Sequence, residues 1–320
     1  MFEPHKFVYH YTSANTLMEK ILPSMTLRMG SFQQLNDPRE AKTWPFKFYS
    51  RTPAGNRFFA APLFDQATKN ITERTLVLCC TRDDPQLNKD ALDSATRSGF
   101  GHPRMWAQYA DRHRGACLVF DMQLLHETIT GQFGGEDLFW GPVQYLNAPG
   151  RLNSVLPRGG YDLVYLEDYV EYGFAKVMEN HIRVFNRELF FTKHLDWRDE
   201  WEYRWVLRRN DSSPVFIPIR SCLRAVILGH DCSDALSERI IEQCRAINVP
   251  VHRAHWQGWT FSLLPNALDD DYRKGPVVVL DGISFSIEVP CGGVFVQGCD
   301  QYGKVRPIRI DNNGDVVPLA

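Results

Sequence analysis

The sequence predicts an α+β domain over residues 1–262, a twisted and largely antiparallel sheet with helices packed on it, followed by a small all-β appendage over residues 263–320. Three patterns predict this. First, Trp201, Tyr203, Trp205 and Leu207 alternate with Glu200, Glu202, Arg204 and Val206, a period of two that makes a strand with one aromatic face. Second, between Tyr161 and Phe191 the apolar positions Leu166, Val170, Phe174, Val177, Met178, Ile182, Phe185 and Leu189 recur in steps of three and four, as on one long helix. Third, beyond about Leu268 short Val- and Ile-rich runs are punctuated by Asp281-Gly282, Gly292-Gly293 and Asn313-Gly314, which is hairpin-turn chemistry.

The remaining elements follow in order. Phe7 to Tyr11 is a strand, and Thr12 or Ser13 caps a helix that runs to Leu22 and is stopped by Pro23. Met25 to Met29 is a second strand. Asn36-Asp37-Pro38-Arg39-Glu40 is a polar loop entering a helix, since Asp37 precedes a proline and Pro38 suits a first helical turn. A weak helix spans about Asn56 to Thr72. Thr75 to Thr81 is a buried strand, and Asp83 to Gly101 a polar loop. Met105 to Ala110 is a short helix, Ala116 to Asp121 a strand, Phe139 to Leu146 another, and Arg151 to Gly160 a Gly/Pro loop. Val215 to Ile219 is expected to pair with the Glu202 strand across the turn residues Asn210 to Pro214. Leu223 to Gly229, a helix from Ser233 to Ile247, and Val249 to Ala254 form a strand–helix–strand unit.

Composition excludes several classes. A hydrophobic fraction of 44% with 12% aromatics suits a packed core and argues against disorder. A net charge of −2 implies no long-range attraction to nucleic acid or anionic membrane, although 36 Lys and Arg residues leave room for a local basic cleft. Nothing at the N-terminus resembles a signal peptide and no apolar run is long enough to span a bilayer. The eight cysteines lack framework spacing, so a reducing, cytoplasmic setting is the expectation. Zinc is not expected, because His230-Asp231-Cys232 and His252-Arg253-Ala254-His255 lack paired-cysteine companions. There is no Gly-X-Ser-X-Gly elbow and no phosphate-binding Gly-rich loop.

Four polar clusters remain: His10-Tyr11-Thr12, Asn36 to Glu40, Trp106 to Gly115, and the strand bearing Glu200 and Glu202. Each has a plain structural explanation: a hydrogen-bonded core histidine with a capping threonine, a turn, a surface loop, a solvated strand face. Their shared position at strand ends and in adjoining loops is where binding residues sit on a rigid scaffold. Glu200 and Glu202 on one strand face would lie only ~6–7 Å apart at the backbone, and Arg204 relieves part of their repulsion.

Tyr9-His10-Tyr11-Thr12-Ser13, Asn36-Asp37-Pro38-Arg39-Glu40, Trp106 to Gly115, and Lys193 with Trp197 and Glu200 to Arg204 together resemble a bacterial family of unknown function, DUF2971, over about residues 7 to 255. That family is in turn similar to the ADP-ribosyltransferase superfamily, a split β-sandwich around an NAD cleft. This second resemblance implies that His10 holds a ribose hydroxyl of NAD, that Glu202 is the catalytic glutamate, and that Glu200 is the preceding acceptor-side acid. Tyr109 takes the place of the middle aromatic, on a helix where the superfamily has a strand. Tyr11, with Thr12 beyond, stands where a small residue is usual. The implied NAD-binding set is His10, Tyr11, Thr12, Asn36, Asp37, Tyr109, Arg114 and Arg204, with Arg114 or Arg204 meeting the pyrophosphate. NAD is then a substrate, no metal is expected, and the acceptor is unspecified. A role as a toxin or phage-defence effector is implied by what many such bacterial enzymes do.

The chemistry is coherent. Breaking the nicotinamide–ribose bond develops positive charge on the sugar, as in glycoside hydrolysis, and a fixed carboxylate stabilises it without reorganising. Two other classes compete. A metal-dependent nuclease or phosphodiesterase would use Asp37, Glu40, Asp111, Glu200 and Glu202 as oxygen ligands. A sensor module would grip a nucleotide without turning it over.

Overall fold

The computed structural model describes residues 2–42, 46–52, 61–87, 94–134, 137–147, 160–211, 213–258 and 260–265, and five strands beyond them. The start of the weak helix at 56, most of the 151–160 loop, and the turns at 281–282, 292–293 and 313–314 lie outside the described residues. The chain divides into two compact units, Met1–Pro250 with Ala254–Ser262, and Val251–Arg253 with Leu263–Ala320.

In the first unit β1 (Phe7–Thr12) leads into α1 (Ala14–Thr16), a π-helical turn (Leu17–Ile21) and α2 (Leu22–Ser24). Ser13 caps this run through its hydroxyl. Short strands β2 (Thr26–Arg28) and β3 (Gly30–Ser31), helix α3 (Pro38–Ala41), β4 (Lys47–Tyr49) and α4 (Ala61–Glu73) come before β5 (Thr75–Thr81). Then follow α5 (Ser94–Arg97), α6 (Pro103–Tyr109), β6 (Ala116–Asp121), α7 (Met122–Phe133), β7 (Asp137–Pro142), β8 (Gln144–Leu146) and β9 (Leu163–Tyr165). Helices α8 (Leu166–Tyr172) and α9 (Phe174–Phe190), strands β10 (Thr192–His194), β11 (Glu202–Arg208), β12 (Phe216–Pro218) and β13 (Leu223–Leu228) and helix α10 (Asp234–Ala246) complete the run, and β14 (Val251–Gln257) and β15 (Thr260–Pro265) each carry residues of both units. The class is α+β. The tail carries β16 (Lys274–Leu280), β17 (Ile283–Glu288), β18 (Phe295–Cys299), β19 (Val305–Ile310) and β20 (Val316–Pro318), paired in that order as an antiparallel meander.

The sheet of the first unit contains the run β13-β6-β1-β5-β11-β7, antiparallel at every step. Strand β6 is buried at every position, so both of its faces are covered. On one face Val77 and Val206 pack against Ala67 and Ile71 of α4 and Met178, Ile182 and Leu189 of α9. The joint between β1 and β5 is unusual. They share one register pair, Tyr9 with Thr81, and β3 takes the same edge of β5 further on, at Val77 and Leu76. From His10 and Cys80 onward the two strands therefore part, and among the described residues His10 to Thr12 pair with β6 alone.

Several expectations change. The helical run continues through Pro23 to Ser24, α5 falls inside the expected 83–101 loop, and the expected Phe139–Leu146 strand is two, β7 paired with β11 and β8 with β10. Gly173 adopts φ +76°, a conformation that favours glycine, and divides the long helix into α8 and α9. Asp121 accepts a hydrogen bond from the Leu124 N–H at 3.1 Å and so starts α7, which the apolar pattern alone did not mark. Strand β12 pairs with β2, not with β11, whose two edges are already taken by β5 and β7. Glu200 ends a 3₁₀ helix, Leu195–Glu200, and Trp201 at φ +47° turns the chain before β11 begins at Glu202.

Candidate functional site

The gap between β1 and β5 opens into a pocket of about 430 Å³, within the usual ~300–1,000 Å³ range of ligand sites. One wall is Tyr9, His10 and Tyr11 of β1, and the other is Cys79, Cys80 and Thr81 of β5. Gln34, Leu35 and Asn36 close one end, Met105, Gln108 and Tyr109 of α6 another, and Lys193, Glu200 and Glu202 form the floor.

The His10 ring reaches across the gap. Its Nδ1 lies 3.1 Å from the Cys79 carbonyl oxygen. A carbonyl only accepts, so Nδ1 carries the proton, and burial pushes the ring's pKa down and keeps it neutral. Nε2 is then a lone-pair acceptor on a pocket wall. The Tyr11 hydroxyl donates to the Gly99 carbonyl at 2.7 Å, and its ring stands edge-on to buried Trp106 with centroids 5.1 Å apart.

Beneath the pocket lies a buried ionic network. Arg204, wholly inaccessible, donates through Nε and Nη2 to both oxygens of Glu202, at 2.7 and 2.9 Å. Its Nη1 and Nη2 also hold Glu40, and Nη1 donates to the Phe190 carbonyl at 2.8 Å. Lys193, 5% exposed, stands 2.8 Å from Glu200, 2.9 Å from Glu202 and 3.9 Å from Glu40. Burial alone would raise the Glu202 carboxyl, but Arg204 and Lys193 outweigh it and hold that group well below the ordinary range. Burial raises Glu40 above it, with Arg204 pulling the other way. Burial opposes the charge on Lys193, yet Glu202, Glu40 and Glu200 raise its pKa. The Tyr109 hydroxyl donates to Glu200 at 2.7 Å, and burial and Glu200 together push that phenol up.

Local pairing explains these positions. Lys193 lies on β10, opposite Tyr145 in the parallel partner β8. The Tyr145 hydroxyl accepts the Glu202 N–H at 2.9 Å, so one two-stranded ladder places both ends of the Lys193–Glu202 pair. The Trp197 ring sits under the Lys193 ammonium, 5.1 Å from centroid to Nζ. Tyr109 ends α6, where three successive left-handed residues, Asp111, Arg112 and His113, return the chain toward β6.

Of the residues singled out in sequence, His10, Tyr11, Asn36, Tyr109, Glu200 and Glu202 line this pocket, and Thr12, Asp37, Arg114 and Arg204 do not. All five N–H groups of Arg204 are spent on Glu202, Glu40 and Phe190, which leaves none for a phosphate. The Arg114 side chain is 56% exposed and pairs with Asp111 on the outer turn. Thr12 lies at the far end of β1, opposite Ala116. Asp37 caps α3 through the Arg39 N–H at 2.9 Å.

Gln34 and Cys79 carry no role in the sequence patterns, whereas Gln108 and Lys193 belong to the family-like motifs without a chemical role of their own. Lys193 had a usable signal, a lone lysine seven residues before Glu200 in a segment dense with Trp and Glu. Cys79 had none, because only strand pairing brings it to His10.

Among the described residues no group of three or more His, Cys, Asp or Glu side chains is arranged to hold a metal ion. Where Glu200 and Glu202 converge, an ammonium already supplies the positive charge. Asp111 is spent on Arg114 at the surface. No helix of the described residues is long and apolar enough to cross a membrane.

No curated protein and no solved structure matches the chain. One family does match, over residues 105–205, a narrower span than the motifs alone imply, and its description is "Protein of unknown function (DUF2971)". The segment that carries Tyr109, Lys193, Glu200, Glu202 and Arg204 therefore matches the DUF2971 family.

Proposed function

We propose that the pocket binds the nicotinamide–ribose half of NAD and breaks the bond between those groups, in the manner of an ADP-ribosyltransferase. The observation that carries this reading is that His10, Tyr109 and Glu202, far apart in sequence, line one pocket where the sheet splits. The finer fold assignment, a split β-sandwich of the ADP-ribosyltransferase kind, belongs to the same proposal and draws on the parting of β1 and β5.

In this reading His10 Nε2 accepts a hydrogen bond from a ribose hydroxyl. Tyr109 and Tyr11 flank the nicotinamide ring. The bonding pair of the C–N bond leaves with nicotinamide, and positive charge builds on the sugar carbon. Arg204 and Lys193 favour the ionised form of Glu202, so in this scheme it acts as a fixed charge and transfers no proton. The acceptor, oriented by Glu200, bonds to the sugar carbon from the side opposite the departing nicotinamide and passes its proton to solvent water. Protein, nucleic acid, small molecule and water are all acceptors compatible with this scheme. Incubation with NAD tests it: free nicotinamide accumulates with the parent and not with Glu202→Gln. Equal release by both removes Glu202 from the mechanism.

A second reading, a nucleotide sensor without turnover, is favoured by one feature. Glu202 is held by Arg204 at both oxygens and by Lys193 at one, which mutes its charge. Saturable NAD binding with the dinucleotide intact after long incubation would support the sensor.

A further inference from the structure

At the other end of β11, six residues and ~20 Å along the strand from Glu202, a second concavity of about 330 Å³ has a different character. Arg74, Arg208 and Asn70 line it, and Ala175 in the first turn of α9 forms part of its wall. Arg208 is largely buried, and its Nη2 donates to the side-chain and main-chain oxygens of Asn70, at 2.9 and 3.3 Å. Its Nε is buried and meets no hydrogen-bond partner among the described residues. Arg74 donates to the Asn210 amide oxygen at 3.2 Å. Among the described residues neither guanidinium forms an ion pair.

Two acids, Asp137 and Glu179, also line the concavity, and each is paired with another cation. Asp137 is held by Arg183 at 2.9 Å, and Glu179 by Arg183 at 3.1 Å and Lys176 at 3.2 Å. Burial holds the Arg208 guanidinium down at about 10, with Arg74 pressing the same way and Asp137 resisting. A guanidinium withdrawn from water with an orphaned N–H is costly unless an anion completes it. The N-cap of α9 is Gly173, which offers no side-chain cap, so the first-turn N–H groups of that helix add partial positive charge to the same wall.

We infer that this concavity is a binding site for a small phosphate-bearing molecule, held between Arg208 and Arg74. Two guanidinium forks and a helix start meet the several oxygens of a tetrahedral anion better than the two of a carboxylate. The inference is independent of the NAD reading, which concerns the opposite end of the strand.

Calorimetric titration with inorganic phosphate, and separately with ADP, tests it. Saturable one-site binding is expected for the parent. Arg74→Gln and Arg208→Gln should each weaken it at least tenfold, and Gly131→Ala, on α7 and lining neither concavity, should leave it unchanged. Arg74 is exposed, so Arg74→Gln decides the matter if Arg208→Gln does not fold. Tighter binding of ADP with the same arginine dependence identifies a nucleotide as the source, and equal binding identifies free phosphate. No saturation with either probe, binding unaltered in Arg74→Gln, or capture of a short RNA when both small probes fail would overturn the inference.

Discussion

Replacing Arg204 with methionine tests the buried network most severely. The guanidinium makes five hydrogen bonds, two to Glu202, two to Glu40 and one to the Phe190 carbonyl. Methionine fills much of the same volume and supplies none of them. Two carboxylates then lose their main counter-charge in a site where Glu202 is 5% and Glu40 3% exposed. Removing one partner of a buried ion pair costs ~3–5 kcal/mol. At ~2–4 °C per kcal/mol for a unit of this size, that is a fall of about 6–20 °C in Tm. The pH dependence carries a second signature. Arg204 and Lys193 depress the folded pKa of Glu202, so its contribution to stability is present above the unfolded value of ~4.3 and fades as pH falls through the lower folded value. In Arg204→Met the freed carboxylates take up protons more easily, so the gap to the parent should narrow as pH is lowered from 7 toward 4. Urea and thermal unfolding, followed by the fluorescence of buried Trp106 and Trp205, measure both. A variant within about 1 kcal/mol of the parent at pH 7 would refute the reasoning.

Other outcomes follow from the same geometry. Tyr109→Phe removes the bond to Glu200, worth ~1.5–3 kcal/mol, and should lower Tm by about 3–12 °C and nicotinamide release at least tenfold. Because burial lowers the pKa of His10, the ring stays neutral to lower pH than an ordinary histidine. The acid limb of the rate profile should therefore lie below ~6.5, and a midpoint at or above that value would count against His10 as a neutral acceptor. Gly115→Ala places a methyl 2.2 Å from the Thr12 carbonyl oxygen and 2.8 Å from Ala110, so it should cost at least ~1–3 kcal/mol by urea titration. Gly131→Ala, on α7 with open space around it, should instead add up to ~1 kcal/mol of stability.

The strands were legible where local pattern decides structure. The apolar run of β6 and the two-residue alternation of β11 both read directly from side-chain type. The alternation failed at Glu200, because Trp201 takes a left-handed turn that separates it from the strand. Six candidate residues share the pocket because strand ends and loops converge where β1 leaves β5. What sequence did not disclose was nonlocal. The pairing of β12 with β2 depends on which sheet edges are already occupied. The engagement of Arg204 with Glu40 joins residues 164 positions apart. An arginine beside a glutamate on one strand looks the same on paper whether it faces a phosphate or closes a buried network.

A crystal structure with NAD, or with an analogue whose glycosidic bond resists cleavage, tests the central claim most directly. The account predicts the nicotinamide-side ribose in the gap between β1 and β5, with one hydroxyl within hydrogen-bond reach of His10 Nε2 and its glycosidic carbon facing Glu202. A dinucleotide bound elsewhere, with that gap left to solvent, would contradict it.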